Sequence, residues 1–267
     1  MSAAATSSCV CPDTSTKDVG CFLAHYASCL MGCGATCIRI EKNVNRIARA
    51  YGKRAEITTM TRHIQISVYN GANELDCLTL NISVKPMPID FTINTRLSEL
   101  SWKIADTGLP LDRAWNDLHK IIDAPRANAN IVLLLVSCAN AAFCRLFGGD
   151  PVAMAVVFIA TLAGFRLKTE LAARKVDVRI IFIVCAFVST VLGCTDMLFG
   201  LGATPRIAIA TSVLYLVPGI PFLNSFSDML YRHYLCAMSR FCDALILTSC
   251  LSLGLCLGLL AMQAGMF

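Results

Sequence analysis

The stretch Val217-Pro-Gly-Ile-Pro-Phe-Leu-Asn224 lies inside an apolar run from Ile207 to Leu230. Those 24 residues, wound as one helix, would extend about 36 Å and cross a bilayer. Pro218, Gly219 and Pro221 interrupt the run near its middle. Each proline removes a backbone N–H and clashes with the preceding turn, so a kink or break is expected. Broken backbone at membrane depth is tolerated only where protein or a wet cavity surrounds it. Interrupted helices of this kind mark substrate sites in transporters. A kinked structural helix with no site is the plainer reading of the same residues.

Outward from that run, the composition fits an integral membrane protein: 56% hydrophobic and 15% charged residues, with a mean hydropathy of +0.62. Charge is uneven. Residues 1–130 carry 14 Lys/Arg and 12 Asp/Glu, whereas residues 131–267 carry 9 and 6. The first half therefore reads as a soluble domain and the second as a membrane domain. The net charge of +5 is spread too thinly to follow a nucleic-acid backbone. Residues 1–16 lack the basic and apolar regions of a cleavable signal, which places the soluble half in the cytosol. In a reducing compartment the 15 cysteines are not a disulfide framework. Those from Cys138 onward sit in or beside apolar runs as small hydrophobes. Cys29, Cys33 and Cys37 would stack on one helix face as core. Cys9 and Cys11 with Cys21 lack the second ligand pair of a metal site, so neither a metal nor a cofactor is expected.

Three segments follow from the pattern: a disordered tail over 1–16, a cytosolic α+β domain over 17–128, and a five-helix membrane domain over 129–267. In the α+β part, apolar positions from Phe22 to Tyr51 recur every three or four residues, predicting one amphipathic helix from Asp18 to Tyr51. Ile64, Ile66 and Val68 alternate with polar residues, Asn70-Gly71 offers a turn, and Leu78 to Val84 alternate again, with room for one further strand. Two helices follow, one N-capped near Asn94 or Thr95 and stopping at Gly108, the other over Leu111–Asp123. The apolar segments of the membrane part are Ile131–Phe147, Val152–Leu167, Arg179–Cys194, Ile207–Leu230 and Ala244–Phe267. Arg166, Lys168, Arg174, Lys175 and Arg179 cluster between the second and third, which gives a cytoplasmic N-terminus and an external C-terminus in a multi-pass (inner) cell-membrane protein.

No G-x-S-x-G, Walker A or H-E-x-x-H pattern is present, and an enzyme is not expected. The polar groups of the membrane half carry the chemistry instead. Asn224 and Asp228 are four apart on one face just past the break. Asp228 could bind a cation or carry a coupled proton. Arg240 could pair with it or hold an anionic substrate group, and both charges could equally mark a cytosolic loop. Asn140 is either a helix–helix hydrogen bond or a cavity-lining group. Gly148 and Gly149 either permit close backbone approach at a cavity or make a turn. Gly254-Leu-Cys-Leu-Gly258 suits close helix contact, internal or with a partner. The candidate substrate-binding set is thus Pro218, Gly219, Pro221, Asn224, Asp228, Arg240, Asn140, Gly148 and Gly149.

Several of these pieces resemble one family. Gly32-Cys-Gly-Ala-Thr-Cys-Ile-Arg-Ile-Glu41 running into Arg46-Ile-Ala-Arg-Ala-Tyr-Gly52, the stretch Leu97–Ile122, Phe147-Gly-Gly149, and above all Val217-Pro-Gly-Ile-Pro221 with Asn224, Asp228 and Arg240 resemble the threonine/serine exporter family. The resemblance covers nearly all the chain after about residue 17. It implies a secondary exporter, with a cytosolic N-terminal domain and ten membrane helices in the fused form. This chain supplies five, and so is similar to the larger subunit of the split form linked to succinate export, in which a second small membrane subunit supplies the rest. An odd span count agrees, because two five-helix units of opposite orientation form an inverted repeat. A homo-oligomer is the other route. Two departures stand out: Tyr231-Arg232-His233 where the family often has a glycine after the aspartate, and the cysteine-rich first helix. A membrane-anchored regulatory or scaffold subunit is the competing reading.

Overall fold

The computed structural model describes residues 15–60, 62–71, 73–85, 87–125, 127–200 and 202–262. The tail expected over 1–16, with Cys9 and Cys11, lies outside these residues up to position 14. Its last position, Thr16, is instead a buried residue opening a helix that Ser15 caps. The chain divides into two compact units, one of residues 1–125 and 221–241, the other of residues 126–220 and 242–267.

In the first unit the order is α1 (Thr16–Gly32), α2 (Cys37–Ala50), β1 (Lys53–Thr59), β2 (His63–Asn70), β3 (Asn73–Ser83), α3 (Phe91–Thr107) and α4 (Leu111–Ile122). The single helix expected over 18–51 is two. Gly34 takes φ +91° between them, a left-handed value that costs glycine little and ends the helix. Cys29 and Cys33 therefore belong to the end of α1 and its cap, and Cys37 opens α2. The strands form an antiparallel meander, β1-β2-β3, turning at Asn70-Gly71 as the sequence indicates, with the further strand supplied by β1. Ala55, Ile64, Ile66 and Val68 are buried on one face. The helix α1 lies on the sheet at Gly20, where an added Cβ would come within 3.0 Å of Leu78. Phe22, Leu23 and Tyr26 of α1 and Ile40, Val44 and Ile47 of α2 are fully buried, each large side chain contributing about 1.5–3 kcal/mol by leaving water. The Tyr26 hydroxyl donates to the Leu97 carbonyl at 2.8 Å, so its polar end is satisfied. The N-cap of α3 is Asp90, which accepts from Thr92 and Ile93 N–H, and not Asn94 or Thr95. Asn94 is instead buried one turn on and accepts from Arg39 at 2.9 Å.

The second unit holds α5 (Ala129–Leu146), α6 (Pro151–Ala173), α7 (Val178–Gly193), α8 (Thr195–Phe199) and α9 (Pro205–Ser212). Two further helices, α10 (Gly219–Leu230) and α11 (Tyr234–Ala261), have residues in both units. Among the described residues, four helical segments are long and apolar enough to cross a membrane: Ala129–Leu146, Pro151–Ala173, Val178–Phe199 and Tyr234–Ala261. A fifth is counted if Pro205–Leu216 and Gly219–Leu230, bent by 62° at their break, are one span. The helix α6 runs six residues past the expected limit of Leu167, so Arg166 and Lys168 are helical. The third span continues through α8 and includes Asp196, which the expected limit at Cys194 left out. Gly254 and Gly258 of α11 face α7: a Cβ on Gly258 would lie 2.8 Å from Thr190, and one on Gly254 would collide with the Ile183 carbonyl. The G-x-x-x-G contact is thus internal. Buried Ser137, Thr190, Thr211 and Ser212 return their hydroxyls to carbonyls of their own helices, which satisfies them without a partner helix.

Candidate functional site

The break falls where the prolines put it. Val217 is extended (φ −57°, ψ 124°), the conformation a following proline imposes. A short 3-10 turn, Leu214–Leu216, precedes it, and α10 starts at Gly219.

In the first unit, the residues beyond the break converge on the loop between α1 and α2. Asn224 Nδ2 donates to the Gly34 carbonyl at 2.8 Å. Cys37 N–H, at the free N-terminus of α2, donates to Asp228 Oδ1 at 2.8 Å. Arg240 Nη2 donates to the Ala35 carbonyl at 2.9 Å, while its Nη1 lies 2.9 Å from Asp228 Oδ2. That last approach is an ion pair without the alignment of a hydrogen bond. The i, i+4 spacing thus delivers Asn224 and Asp228 to successive parts of one loop. A carboxylate at a helix N-terminus also meets the positive end of the helix dipole. Asp228 has no exposed surface, and the Arg240 side chain is 14% exposed. His233 Nε2 lies 3.5 Å from Glu41 of α2. Cys37, Asp228 and Cys236 bring two sulfurs and a carboxylate oxygen within 4.8 Å of one another, a donor set a soft metal ion could use. Arg240 already supplies positive charge there. The hydrogen bond with the Cys236 thiol, and then burial, push the Cys37 thiol far above its ordinary range.

The second unit holds Asn140, Gly148, Gly149, Pro218 and Gly219. Asn140 Nδ2 donates to Thr161 Oγ1 at 2.6 Å and to the Thr211 carbonyl at 3.1 Å, tying α5 to α6 and α9. A carbonyl only accepts, so the amide nitrogen faces it, and Oδ1 has no hydrogen-bond partner among the described residues. Asn140 also lines a groove of about 330 Å³ with Val136, Ala139, Phe143, Phe147, Leu214 and Tyr215. Both readings of Asn140 therefore coexist in one side chain. The Tyr215 hydroxyl pairs with Ser189 Oγ at 2.9 Å, an approach that Gly164 permits by lacking a Cβ. Gly148 (φ +90°) and Gly149 make the turn between α5 and α6, where Gly149 N–H donates to the Cys144 carbonyl.

A family model for threonine/serine exporters, ThrE, matches residues 21–262. The chain belongs to this family. Curated relatives of this ThrE member include "Probable succinate transporter subunit YjjP" of Klebsiella aerogenes, 34% identical over 129 residues, which is 48% of this chain and 48% of that protein. The protein of the same name from Escherichia coli is 33% identical over 130 residues, 48% of this chain and 51% of that protein. The matched stretch spans about half the length of each relative. No solved structure matches. The ThrE family and the apolar helices together make the chain a multi-pass membrane protein.

One polar group of this ThrE chain escaped the sequence reading. Asp196 is fully buried, and neither carboxylate oxygen has a hydrogen-bond partner among the described residues. An ionisable residue inside an apolar span was the available signal.

Proposed function

We propose that this ThrE member is a subunit of a secondary-active exporter of small organic or amino acids, driven by a proton gradient. Its family, and the word "subunit" in the names of its relatives, support the reading. The observation that carries it is the break at Val217-Pro218, which ends the 3-10 turn holding Leu214 and Tyr215, two residues of the Asn140 groove. Such a groove, mostly apolar with a few placed polar groups, is what a small ligand needs. The unpartnered Asn140 Oδ1 is an acceptor. It suits the ammonium or hydroxyl of threonine or serine, whereas an ionised dicarboxylate such as succinate offers it no donor. In this reading the backbone at Pro218 and Gly219 faces the substrate with Asn140, while Asn224, Asp228 and Arg240 fix the loop before α2. A second small membrane subunit completes the transporter, and the N-terminus lies on the cytoplasmic face of an inner membrane, because Arg174 and Lys175 sit in the α6–α7 connection.

Efflux of labelled threonine and labelled succinate, from cells expressing the chain with and without the candidate small subunit, tests this. Efflux that needs both proteins is the expected result, with threonine preferred. Efflux from this chain alone replaces the second subunit by a homo-oligomer. No efflux in any combination leaves a regulatory or scaffold subunit and overturns the proposal.

A further inference from the structure

Resting on the exporter reading, we propose that Asp196, beside Asp150 at Gly202, is the group that takes up and releases the coupled proton. Asp196 belongs to α8, at the end of the third span. It is fully buried, and both oxygens lack a partner among the described residues. An ionised carboxylate in that state is costly, and a bound proton or cation removes the cost. The second carboxylate is close. A Cβ added at Gly202 would lie 2.7 Å from Asp150 Oδ2 and 2.9 and 3.1 Å from the two Asp196 oxygens.

The two acids are in opposite circumstances. Asp150 N-caps α6 and accepts from Ala153 N–H, Ala203 N–H and the Thr204 hydroxyl. Those backbone and hydroxyl donors hold its carboxyl below the usual range, so it stays ionised. Asp196 has no such donor. Pairs of carboxyls whose surroundings differ this way divide into a fixed charge and an exchanging acid.

The other elements packed on α8 bring little that could neutralise it. Among the charged and titratable groups of α6, α7 and α9, which pack on α8, Asp150 caps the first, Cys194 ends the second and Arg206 stands in the first turn of the third; Arg145 lies in the last turn of α5, the helix before α6. Neither arginine is ion-paired with Asp196 among the described residues, and Arg145 Nη1 donates to the Gly149 carbonyl. From Ala244 onward α11 has no charged residue. Asp228, the other buried acid among the described residues, already has Arg240.

A proton fits better than a metal ion. Hard cations need six or more oxygens around an open centre. Here three carboxylate oxygens lie around the position a Cβ would take on Gly202, one bond from its backbone. Protonation adds one hydrogen to one Asp196 oxygen and removes one negative charge; release restores it.

The test uses the purified chain, and the chain with its small subunit in liposomes. The pH-induced infrared difference spectrum should contain a protonated-carboxyl band that Asp196→Asn removes and Asp228→Asn retains. Gly202→Ala, which pushes a methyl against both acids, should displace that band, and serves if Asp196→Asn misfolds. A band unaffected by either variant overturns the proposal, as does a band abolished by sodium ions at fixed pH. In liposomes, wild type should move protons with substrate, and Asp196→Asn should lose that coupled movement. Substrate movement without proton movement overturns the coupling role alone. Absence of any substrate movement by wild type counts against the exporter reading instead, and the infrared result still stands or falls separately.

Discussion

Asp228 and Arg240 are worth weighing as a pair, because Asp228 is fully buried, Arg240 is largely so, and each also holds backbone of the α1–α2 loop. Removing one member strands the other, a loss of about 3–5 kcal/mol. Asp228→Ala and Arg240→Ala should each lower the melting temperature, and the double variant should lose less than the two single losses combined; strict additivity in that cycle would show that the pair is not coupled. The spacing of Asn224 and Asp228 was visible in the sequence. Their target was not, because nothing local says that Cys37 leaves an N–H free for a carboxylate far away in the chain. Cysteine chemistry gives a second residue-scale expectation. Burial pushes the Cys33 thiol up to about 12 and the Cys29 thiol to about 11, while Cys21 and Cys77 are exposed. Alkylation of the native protein at pH 8 should therefore label Cys21 and Cys77 first, with Cys33 labelled only on unfolding. Rapid labelling of Cys33 in the folded protein would contradict the packing of α1.

The elements were more legible than the contacts between them. Alternation gave the strands and the Asn70-Gly71 turn, and proline chemistry gave the break after Val217. The α1–α2 interruption went unseen because Phe22, Tyr26, Ile40 and Val44 keep a helical period across it, while Gly34 lets the backbone depart from that period. The start of α3 was misplaced by one turn, since Asp90, Asn94 and Thr95 are all capping residue types and only packing separates them. Asp90→Ala should cost about 0.5–2 kcal/mol, the range for losing an N-cap, and a melting curve would register it; an unchanged curve would mean another group caps the helix. On α1 and α4, His25 lies 5.4 Å from the Trp115 ring and 6.2 Å from His119. Burial, then His119, then Lys85 lower the His25 pKa, so the folded protein binds its proton less readily than the unfolded chain does. Stability is then full above the unfolded value near 6.5 and declines as pH falls below it. His25→Gln should flatten the melting profile between pH 7 and pH 5. The broken span makes its own prediction. Replacing Pro218, Gly219 and Pro221 by Ala or Leu should abolish transport and leave insertion intact, which an anchor would tolerate; unimpaired transport would remove the break from the mechanism.

For the molecule as a whole, the more charged first half of the sequence holds a small three-stranded sheet, and the less charged second half holds the long apolar helices. Large apolar side chains such as Leu146, Phe199 and Leu235 are 77%, 72% and 77% exposed, far beyond what water tolerates over a continuous surface. After an alkaline carbonate wash the chain should remain with the membrane pellet, and release into the supernatant would exclude it as a spanning protein. The charge count did not reveal that residues 221–241 are part of the first unit. That feature has a bearing on biosynthesis. Asp228 follows Cys37 by 191 positions, which at ~5–20 residues per second means a wait of roughly 10–40 s on the ribosome. During that interval the nascent amino-terminal domain lacks the anchors of its α1–α2 loop. Completion of an early-made segment is therefore timed by the arrival of one made much later.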